Sequence, residues 1–273
     1  MRPPGNTRRV LTVDAQRGTP VLRAHPACQG LWVTFFDEAV AARYDETSAA
    51  RFHPDVLGPT VDVLAELASG GPALEFAVGT GRVALPLSER GVTVHGVELS
   101  QPMVDQMMAK PGADRVQVTV GDMATTRVDG EFPLVYLVYS TISNLVTQDE
   151  QVRCFENAAD HLVPGGHFVV EVGVPSLVRL APGERFVPFD VSPEHLGVDE
   201  YDLVNQRLTS HHHWFSDGTV ESFDSEHRYA WPAEYDLMAR IAGLDLAHRW
   251  GDWQRTPFTD ASTAHVSVWT KPT

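Results

Sequence analysis

Cysteine and long apolar runs are scarce in this 273-residue chain. Its two cysteines, Cys28 and Cys154, stand alone without metal-ligand spacing, which is typical of reduced thiols in a cytoplasmic protein rather than of a disulfide framework. The sequence shows neither an apolar stretch of signal-peptide length near residue 1 nor a run of eighteen apolar residues. We therefore expect a cytoplasmic protein that is neither exported nor embedded in a membrane.

Positive charge is also scarce, since 21 lysines and arginines face 36 aspartates and glutamates and leave a net charge of −15 at pH 7. Only Lys110 and Lys271 are lysines, and no local basic patch is present. A field of this sign repels phosphate backbones, so a nucleic-acid partner is not expected. The 43% hydrophobic content and the length suffice for a full core in one α/β domain, with or without an insertion.

A glycine turn organises the sequence. The apolar run at 73–78 meets Gly79-Thr80-Gly81, and apolar residues then recur at helical spacing, which predicts a strand, a tight turn and a helix. In an open α/β sheet such a turn presents backbone N–H groups to a ligand. Ala84 stands where a dinucleotide fingerprint has its third glycine, which argues against a dehydrogenase. Glu75, four residues before Gly79, suits an ammonium group better than a pyrophosphate.

Two further acidic residues follow predicted strands at the same edge of the sheet. The strand at 92–97 leads into Glu98, nineteen residues after Gly79, where nucleoside-binding α/β folds hold a ribose diol. The strand at 116–120 runs into Gly121-Asp122-Met123. There Asp122 can accept a hydrogen bond from an adenine amino group while Met123 covers the ring.

The segments E-F-A-V-G-T-G, V-E-L-S, G-D-M and L-V-P-G-G, within residues 44–174, resemble the class I S-adenosylmethionine-dependent methyltransferases. The resemblance implies an α/β, Rossmann-like, seven-stranded and mostly parallel sheet with helices on both faces and an antiparallel C-terminal strand. It also implies S-adenosylmethionine as cofactor and S-adenosylhomocysteine as product. Ala77 departs from the family, which more often has glycine there. The implied cofactor-binding residues are Tyr44, Glu75, Ala77, Gly79, Thr80, Gly81, Arg82, Glu98, Leu99, Met103, Asp122, Met123 and Tyr139.

Tyr44 matches a Tyr-Asp pair that lies in a cofactor-covering helix of many family members. The alternative, an ordinary residue of an amphipathic helix, stays open.

The chain is predicted to contain an N-terminal arm at 1–34 and a methyltransferase domain at 35–273. A β-hairpin cap or insertion at about 174–232 is centred on the turn Ser216-Asp217-Gly218. Residues 176–203 lack periodicity and are predicted to be a connection or cap with short elements. Other predicted elements are helices at 55–68, 151–162 and 234–242 and strands at 134–138, 167–172, 208–215, 220–231, 244–250 and 264–270.

The acceptor side of the site is predicted from Tyr139 and from three consecutive histidines. Tyr139 follows the fourth predicted strand, and residues 139–144 lack the Asn/Asp-Pro-Pro-aromatic motif of amide and nucleobase-amine methyltransferases. On a strand, His211 and His213 share a face and His212 points away, and no nearby cysteine or carboxylate completes a tetrahedral set, so no metal site is expected. Tyr139 and His213 are the candidate catalytic residues.

The function predicted from the resemblance is transfer of a methyl group to a small-molecule or peptide acceptor, an amine, in natural-product biosynthesis. Two alternatives remain: an O-methyltransferase of a small molecule, and a non-catalytic methyltransferase-like binding protein. The binding protein should have a broken cofactor site, whereas the acidic and glycine residues of the motifs are intact. The protein is expected to be a monomer or a homodimer.

Overall fold

The computed structural model describes the backbone of residues 9–12 and 21–24 and all of residues 36–216 and 218–273. The chain divides into two compact units. The larger unit comprises Phe36–Pro175 and Ala230–Thr273, and the smaller unit comprises Met1–Phe35 and Ser176–Tyr229. Cys28 and Asp217 lie outside the described residues, whereas Cys154 is a buried, free thiol.

The described helices and strands alternate along the larger unit, whereas the smaller unit contains strands. In chain order they are β1 Arg9–Thr12, β2 Val21–Ala24, α1 Glu38–Thr47, α2 Pro54–Ala68, β3 Ala73–Phe76, α3 Ala84–Glu89, β4 Val94–Glu98, α4 Gln101–Met108, β5 Val116–Val120, β6 Phe132–Leu137, α5 Gln148–His161, β7 Leu162–Gly173, β8 Phe186–Val191, β9 His195–Asp202, β10 Arg207–Ser216, β11 Thr219–Arg228, α6 Pro232–Ile241, β12 Asp245–Trp250 and β13 Ala264–Thr270. Short 3-10 helices lie at Ala49–Phe52, Ala113–Arg115, Thr141–Asn144 and Leu177–Arg179.

The larger unit is built on a seven-stranded sheet of order β12-β13-β7-β6-β3-β4-β5. The neighbours from β7 to β5 pair in parallel, and β13 pairs antiparallel with both β7 and β12. The predicted mostly parallel sheet with an antiparallel C-terminal strand is therefore confirmed. Among the five parallel strands β7-β6-β3-β4-β5 the middle one is β3, so its carboxyl end, with the glycine turn, lies between the ends of β6 and β4.

Helices cover both faces of this sheet because its strands alternate between two buried clusters. Leu74 packs in the cluster that contains Phe155 of α5, and the neighbouring Ala73 packs in the cluster that contains Leu64 of α2. Local signals set the helix ends: Thr147 and Glu150 form a capping box at the start of α5, and the Ser100 side chain caps α4.

The smaller unit contains a six-stranded antiparallel sheet of order β2-β1-β11-β10-β9-β8. The predicted hairpin is present as β10 and β11, with Ser216 opposite Thr219. The segment 176–203, expected to be a connection or cap with short elements, contains the strands β8 and β9. The alternation of apolar and polar residues did not indicate these strands, because Phe186 and Val191 are exposed on β8 whereas the polar His195 is buried on β9.

Strands β1 and β2 lie in a segment where no strand was predicted. The remainder of the predicted arm at 1–34 lies outside the described residues, and the boundaries 35–273 and 174–232 stay predictions. None of the helices in the described part of the chain combines the length and apolar character that a membrane crossing requires.

Candidate active site

The turn after β3 needs left-handed backbone at three residues: Ala77 at φ +55°, Gly79 at φ +58° and Gly81 at φ +79°. Gly81 is also required by packing, since a Cβ there would lie 2.6 Å from Cγ of Met107 on α4. At Ala77 the same conformation costs roughly 1–2 kcal/mol for a residue with a Cβ. This cost is the physical reason why glycine is the easier residue at this position.

Glu98, at the end of β4, connects this strand to the glycine turn. Its Oε2 accepts a hydrogen bond of 2.9 Å from the Gly79 N–H, and its Oε1 accepts one of 2.8 Å from the Ser100 N–H. The residue is only 5% exposed, and burial raises the pKa of its carboxyl against the opposing effect of these backbone bonds. Each carboxylate oxygen can accept a further hydrogen bond, which suits a diol.

Glu75 lies on β3 beneath the turn, and it is only 2% exposed. The Tyr136 hydroxyl donates a 2.7 Å hydrogen bond to its Oε2. Burial raises the pKa of Glu75 to about 8, and the hydrogen bond from Tyr136 only partly opposes this rise. Because the carboxyl lies in an apolar environment, a nearby ammonium group would strongly favour its ionised form.

The residues predicted to contact the nucleoside occupy contrasting environments. Leu99 is 53% exposed directly after Glu98, whereas Met103 is buried on α4 beside Gly79. Oδ1 of Asp122 accepts a 2.8 Å hydrogen bond from the Ala124 N–H and so stabilises its own turn. Met123 is buried in the core against α5. The adenine contacts of Asp122 and Met123 stay predictions.

Helix α1 is tied to the glycine turn next to Tyr44. Oδ1 of Asp45 accepts a 2.6 Å hydrogen bond from the Thr80 hydroxyl. Lys110 pairs with the Asp45 carboxylate and donates a 2.7 Å hydrogen bond to the Thr80 carbonyl. Burial raises the pKa of the Tyr44 hydroxyl, and the charges of Arg82, Arg51 and Glu98 also act on it. The structure thus brings the Tyr-Asp pair of α1 to the turn.

Two consecutive non-glycine residues after β6 have left-handed backbone, Tyr139 at φ +60° and Ser140 at φ +55°. Glu171 on β7 holds both: its Oε2 accepts from the Tyr139 N–H at 2.9 Å and its carbonyl accepts from the Ser140 N–H at 3.0 Å. Such residues cost roughly 1–3 kcal/mol each and persist where the surroundings fix them, which is common at functional sites.

Two guanidinium groups lie close to the Tyr139 ring. Cζ of Arg51 lies 3.5 Å from the ring centroid and Cζ of Arg82 lies 5.6 Å from it. Arg82 was predicted to be part of the site, but Arg51 was missed and carries no sequence signal. Glu171 was also missed, although a carboxylate within the apolar run 168–172 was a usable signal. Lys110 was missed as well, although the rarity of lysine in this chain was a usable signal.

His213 lies on β10 of the smaller unit, whereas Tyr139 lies in the larger unit. Nδ1 of His213 is 2.7 Å from Oγ of Ser222. The joint catalytic role of His213 and Tyr139 stays a prediction. Within the described residues, histidines, cysteines and carboxylates form no group of three that could hold a metal ion.

The side chains around the turn match the chemical groups of S-adenosylmethionine. Glu98 offers acceptors for the ribose diol, Glu75 a carboxyl for the ammonium, and Arg51 and Arg82 offer cations for the carboxylate. Leu99 adds exposed apolar surface beside Glu98. These side chains therefore fit S-adenosylmethionine.

Comparisons with known proteins agree with S-adenosylmethionine as the cofactor. A family profile described as "Methyltransferase domain" matches residues 73–166. The cypemycin N-terminal methyltransferase of a Streptomyces species is 28% identical over 242 residues, which cover 85% of this chain and 96% of that protein. The amino pentose methyltransferase CalS10 of Micromonospora echinaspora, with S-adenosylmethionine bound, shares the fold at a TM-score of 0.65 and 20% identity, covering 90% of this chain and all of that one.

The methyltransferase CcbJ from Streptomyces caelestis has a solved structure that superimposes with a TM-score of 0.77 at 37% identity, covering 86% of this chain and 96% of that one. With this identity across nearly all of CcbJ, the chain belongs to the class I S-adenosylmethionine-dependent methyltransferases, enzymes that take a methyl group from S-adenosylmethionine.

Proposed function

We propose that this enzyme methylates an amine nitrogen of a small-molecule or peptide acceptor in natural-product biosynthesis. The observation that carries this proposal is the similarity to the cypemycin N-terminal methyltransferase, which extends over 85% of the chain. This span is longer than the larger unit, so the similarity includes residues of both units. The similarity to CalS10, whose name specifies an amino sugar, supports the fold and agrees with an amine acceptor.

The chemistry around Tyr139 also supports an amine. A hydroxyl acceptor needs a base to become nucleophilic, whereas an amine can lose its proton to water. Among the described side chains beside Tyr139 are two guanidinium groups, which are not bases, and Tyr44, whose hydroxyl has a raised pKa because it is buried. This environment favours an acceptor that needs no strong base.

Residues of the larger unit are assigned here to the cofactor and to the point of methyl transfer. When bound, S-adenosylmethionine supplies a methyl group activated by a sulfonium. We assign Glu98, Glu75 and the two arginines to the ribose, ammonium and carboxylate of this cofactor, and Asp122 to the adenine. Tyr139 is assigned to the place where acceptor and methyl meet, because its fixed backbone limits the motion of the ring.

Intact-mass analysis tests the proposal. Purified protein and S-adenosylmethionine are incubated with a pentapeptide carrying a free α-amine, its N-acetyl counterpart, and matched small amines and phenols. We expect methyl gain on free amines and none on the acetylated peptide. Methylation of phenols alone would show an O-methyltransferase instead. If the protein methylates none of these acceptors and does not bind S-adenosylhomocysteine, the cofactor site is broken.

A further inference from the structure

The loop that follows β5 is bound by a buried side chain of α5. Asn157, only 2% exposed, donates hydrogen bonds from its side-chain nitrogen to two carbonyls of this loop, that of Met123 at 2.8 Å and that of Thr126 at 3.0 Å. The loop contains Asp122, which is assigned to the adenine of the cofactor. All of these residues belong to the larger unit.

The two loop carbonyls determine the orientation of the Asn157 amide. A carbonyl can only accept a hydrogen bond, so the amide nitrogen must face both of them. The amide oxygen, Oδ1, is then buried without a hydrogen-bond partner among the described residues. A buried acceptor without a partner costs stability. This cost is accepted at a position where the donor side of the amide binds the loop twice.

His161, one turn further along α5, binds the end of the same loop. Its Nε2 accepts a 3.1 Å hydrogen bond from the Val128 N–H, so its Nδ1 carries the ring proton and donates to the Asn157 carbonyl at 2.7 Å. Burial lowers the pKa of His161, which favours this neutral ring. The two side chains of α5 therefore bind backbone groups at residues 123, 126 and 128.

The same loop determines where the Asp122 carboxylate lies. Its Oδ1 accepts a 2.8 Å hydrogen bond from the Ala124 N–H, and its carbonyl accepts from the N–H groups of Thr125 at 3.0 Å and Thr126 at 2.8 Å. None of the described residues donates a hydrogen bond to Oδ2, which leaves this oxygen for an amino group of a ligand. Thr126 binds Asp122 through its N–H and Asn157 through its carbonyl, so the two residues are connected through one peptide segment.

We propose that Asn157, supported by His161, is a positioning residue that holds the loop 122–128 so that Asp122 accepts a hydrogen bond from the adenine amino group. Asn157 thereby sets the selectivity of the cofactor site for adenine. This inference rests on the assignment of Asp122 to the adenine in the proposed function. Asn157 and His161 act through Asp122.

Calorimetry with two ligands tests the inference without any turnover. The probes are S-adenosylhomocysteine and its purine analogue, in which hydrogen replaces the adenine amino group. A site built to bind that group rejects an analogue that lacks it. We expect the wild-type protein to bind S-adenosylhomocysteine about tenfold more tightly than the analogue, ~1.4 kcal/mol. Asn157→Leu should reduce this preference to about threefold or less, mainly by weakening S-adenosylhomocysteine.

Gln151→Leu is the matched control for a merely structural effect. Gln151 is also buried on α5, and its side-chain nitrogen donates to the carbonyls of Ile142 at 3.2 Å and Leu145 at 3.1 Å, in another loop. Gln151→Leu should retain the tenfold preference even where it lowers the melting temperature. Because the effect of Asn157 passes through Asp122, the double variant Asp122→Ala/Asn157→Leu should show the same low preference as Asp122→Ala alone.

A second variant tests the other end of the loop should Asn157→Leu fail to fold. His161→Phe keeps an aromatic ring beside Phe76 and Phe132, and it removes the ring nitrogens that bind Val128 and Asn157. We expect His161→Phe to reduce the preference for S-adenosylhomocysteine about threefold, ~0.6 kcal/mol.

The outcomes separate this inference from the proposed function. If Asp122→Ala abolishes the preference but Asn157→Leu and His161→Phe retain it, the role of α5 is wrong and the adenine assignment stands. If Gln151→Leu loses the preference as well, the positioning role is wrong. If Asp122→Ala retains the wild-type preference, both the adenine assignment and the role of Asn157 are wrong. The methylated atom of the acceptor is identified separately by intact-mass analysis, so an O-methyltransferase would leave this inference standing.

Discussion

Single residues determine the backbone conformation of the glycine turn, and Ala77 shows which part of it the sequence can predict. The departure from glycine was visible in the sequence, but its consequence depends on a backbone angle of φ +55° that no pattern displays. A side chain in this region loses about 1–2 kcal/mol relative to right-handed backbone. Glycine would remove this penalty, but it would also increase the entropy of the unfolded chain.

We therefore predict a steep dependence of stability on the size of residue 77. Ala77→Gly should change the free energy of unfolding by less than about 1 kcal/mol, because the two effects oppose each other. Ala77→Val should destabilise by roughly 1–3 kcal/mol, since a β-branched side chain tolerates positive φ poorly. Urea denaturation measures both. Ala181→Val at an exposed position is the control, and equal effects at 77 and 181 would contradict the strain.

Glu75 provides a prediction about protons. Burial raises its pKa to about 8, so the folded protein holds this proton at pH 7 and the unfolded chain does not. Because the folded state holds the proton more tightly, this carboxyl lowers the free energy of unfolding progressively as pH rises from about 4.5 to about 8. If the ammonium of the cofactor lies beside Glu75, binding favours the ionised carboxylate and expels the proton.

Calorimetry in buffers of different ionisation enthalpy can count that proton. With S-adenosylhomocysteine at pH 7, we expect release of up to about one proton, because Glu75 changes from mostly protonated to mostly ionised. The release should disappear above pH 9 and in Glu75→Gln. An equal proton count in wild type and Glu75→Gln would assign the ammonium to another residue.

At the scale of elements, strand β7 supports the end of β6. Glu171 holds the N–H of Tyr139 through its side chain and that of Ser140 through its carbonyl, while Oγ of Ser140 accepts a 3.1 Å hydrogen bond from Gly173. Two left-handed residues in succession would not persist without such contacts. The position of Tyr139 is therefore set by a neighbouring strand rather than by its own sequence.

Substitutions at Glu171 should separate positioning from folding. Glu171→Gln keeps an acceptor oxygen and should retain near wild-type turnover. Glu171→Leu leaves the Tyr139 N–H without its acceptor, which should destabilise by roughly 1–3 kcal/mol and lower kcat about tenfold or more. Glu156→Leu, on the exposed side of α5, is the matched control. Equal losses in kcat for the Gln and Leu variants would show that the charge, not the hydrogen bond, matters.

Elements with a simple burial pattern were predictable. The strand at 116–120 coincides with β5, and the helix at 55–68 differs from α2 by one residue at its start. Strands β8 and β9 were not predictable, because exposed phenylalanines and a buried histidine break the alternation on which such a prediction depends. The hydrogen bonds of His195 show why a polar residue can be buried there.

At the scale of the whole molecule, the two units divide the predicted roles. The predicted cofactor-binding residues, from Tyr44 to Tyr139, all lie in the larger unit. His213 lies in the smaller unit. The sequence predicted the cofactor side from a residue spacing that follows from a common sheet. It could not locate Arg51, since the contact of Arg51 with Tyr139 arises between elements that are distant in sequence.

This division predicts that donor affinity and acceptor turnover can be changed separately. His213→Ala should lower turnover of an amine acceptor while the Kd for S-adenosylhomocysteine stays within about threefold, ~0.6 kcal/mol. Ser222→Ala removes only the hydrogen-bond partner of His213 and should give a smaller loss in the same direction. Tyr139→Phe, in the larger unit, should also impair turnover more than donor affinity, because it removes the hydroxyl and keeps the ring that the two guanidinium groups contact.

Calorimetry measures donor affinity, and initial rates with several amines measure turnover. The ratios of these rates among acceptors are the deciding quantity. If residues of the smaller unit select the acceptor, His213→Ala must change the relative rates among amines and not only their common level, since a uniform loss would indicate misfolding or slower chemistry. A variant that loses donor affinity while preserving those ratios would place acceptor recognition in the larger unit, next to Tyr44 and α1. The two outcomes differ in both observables, so one set of titrations decides between them.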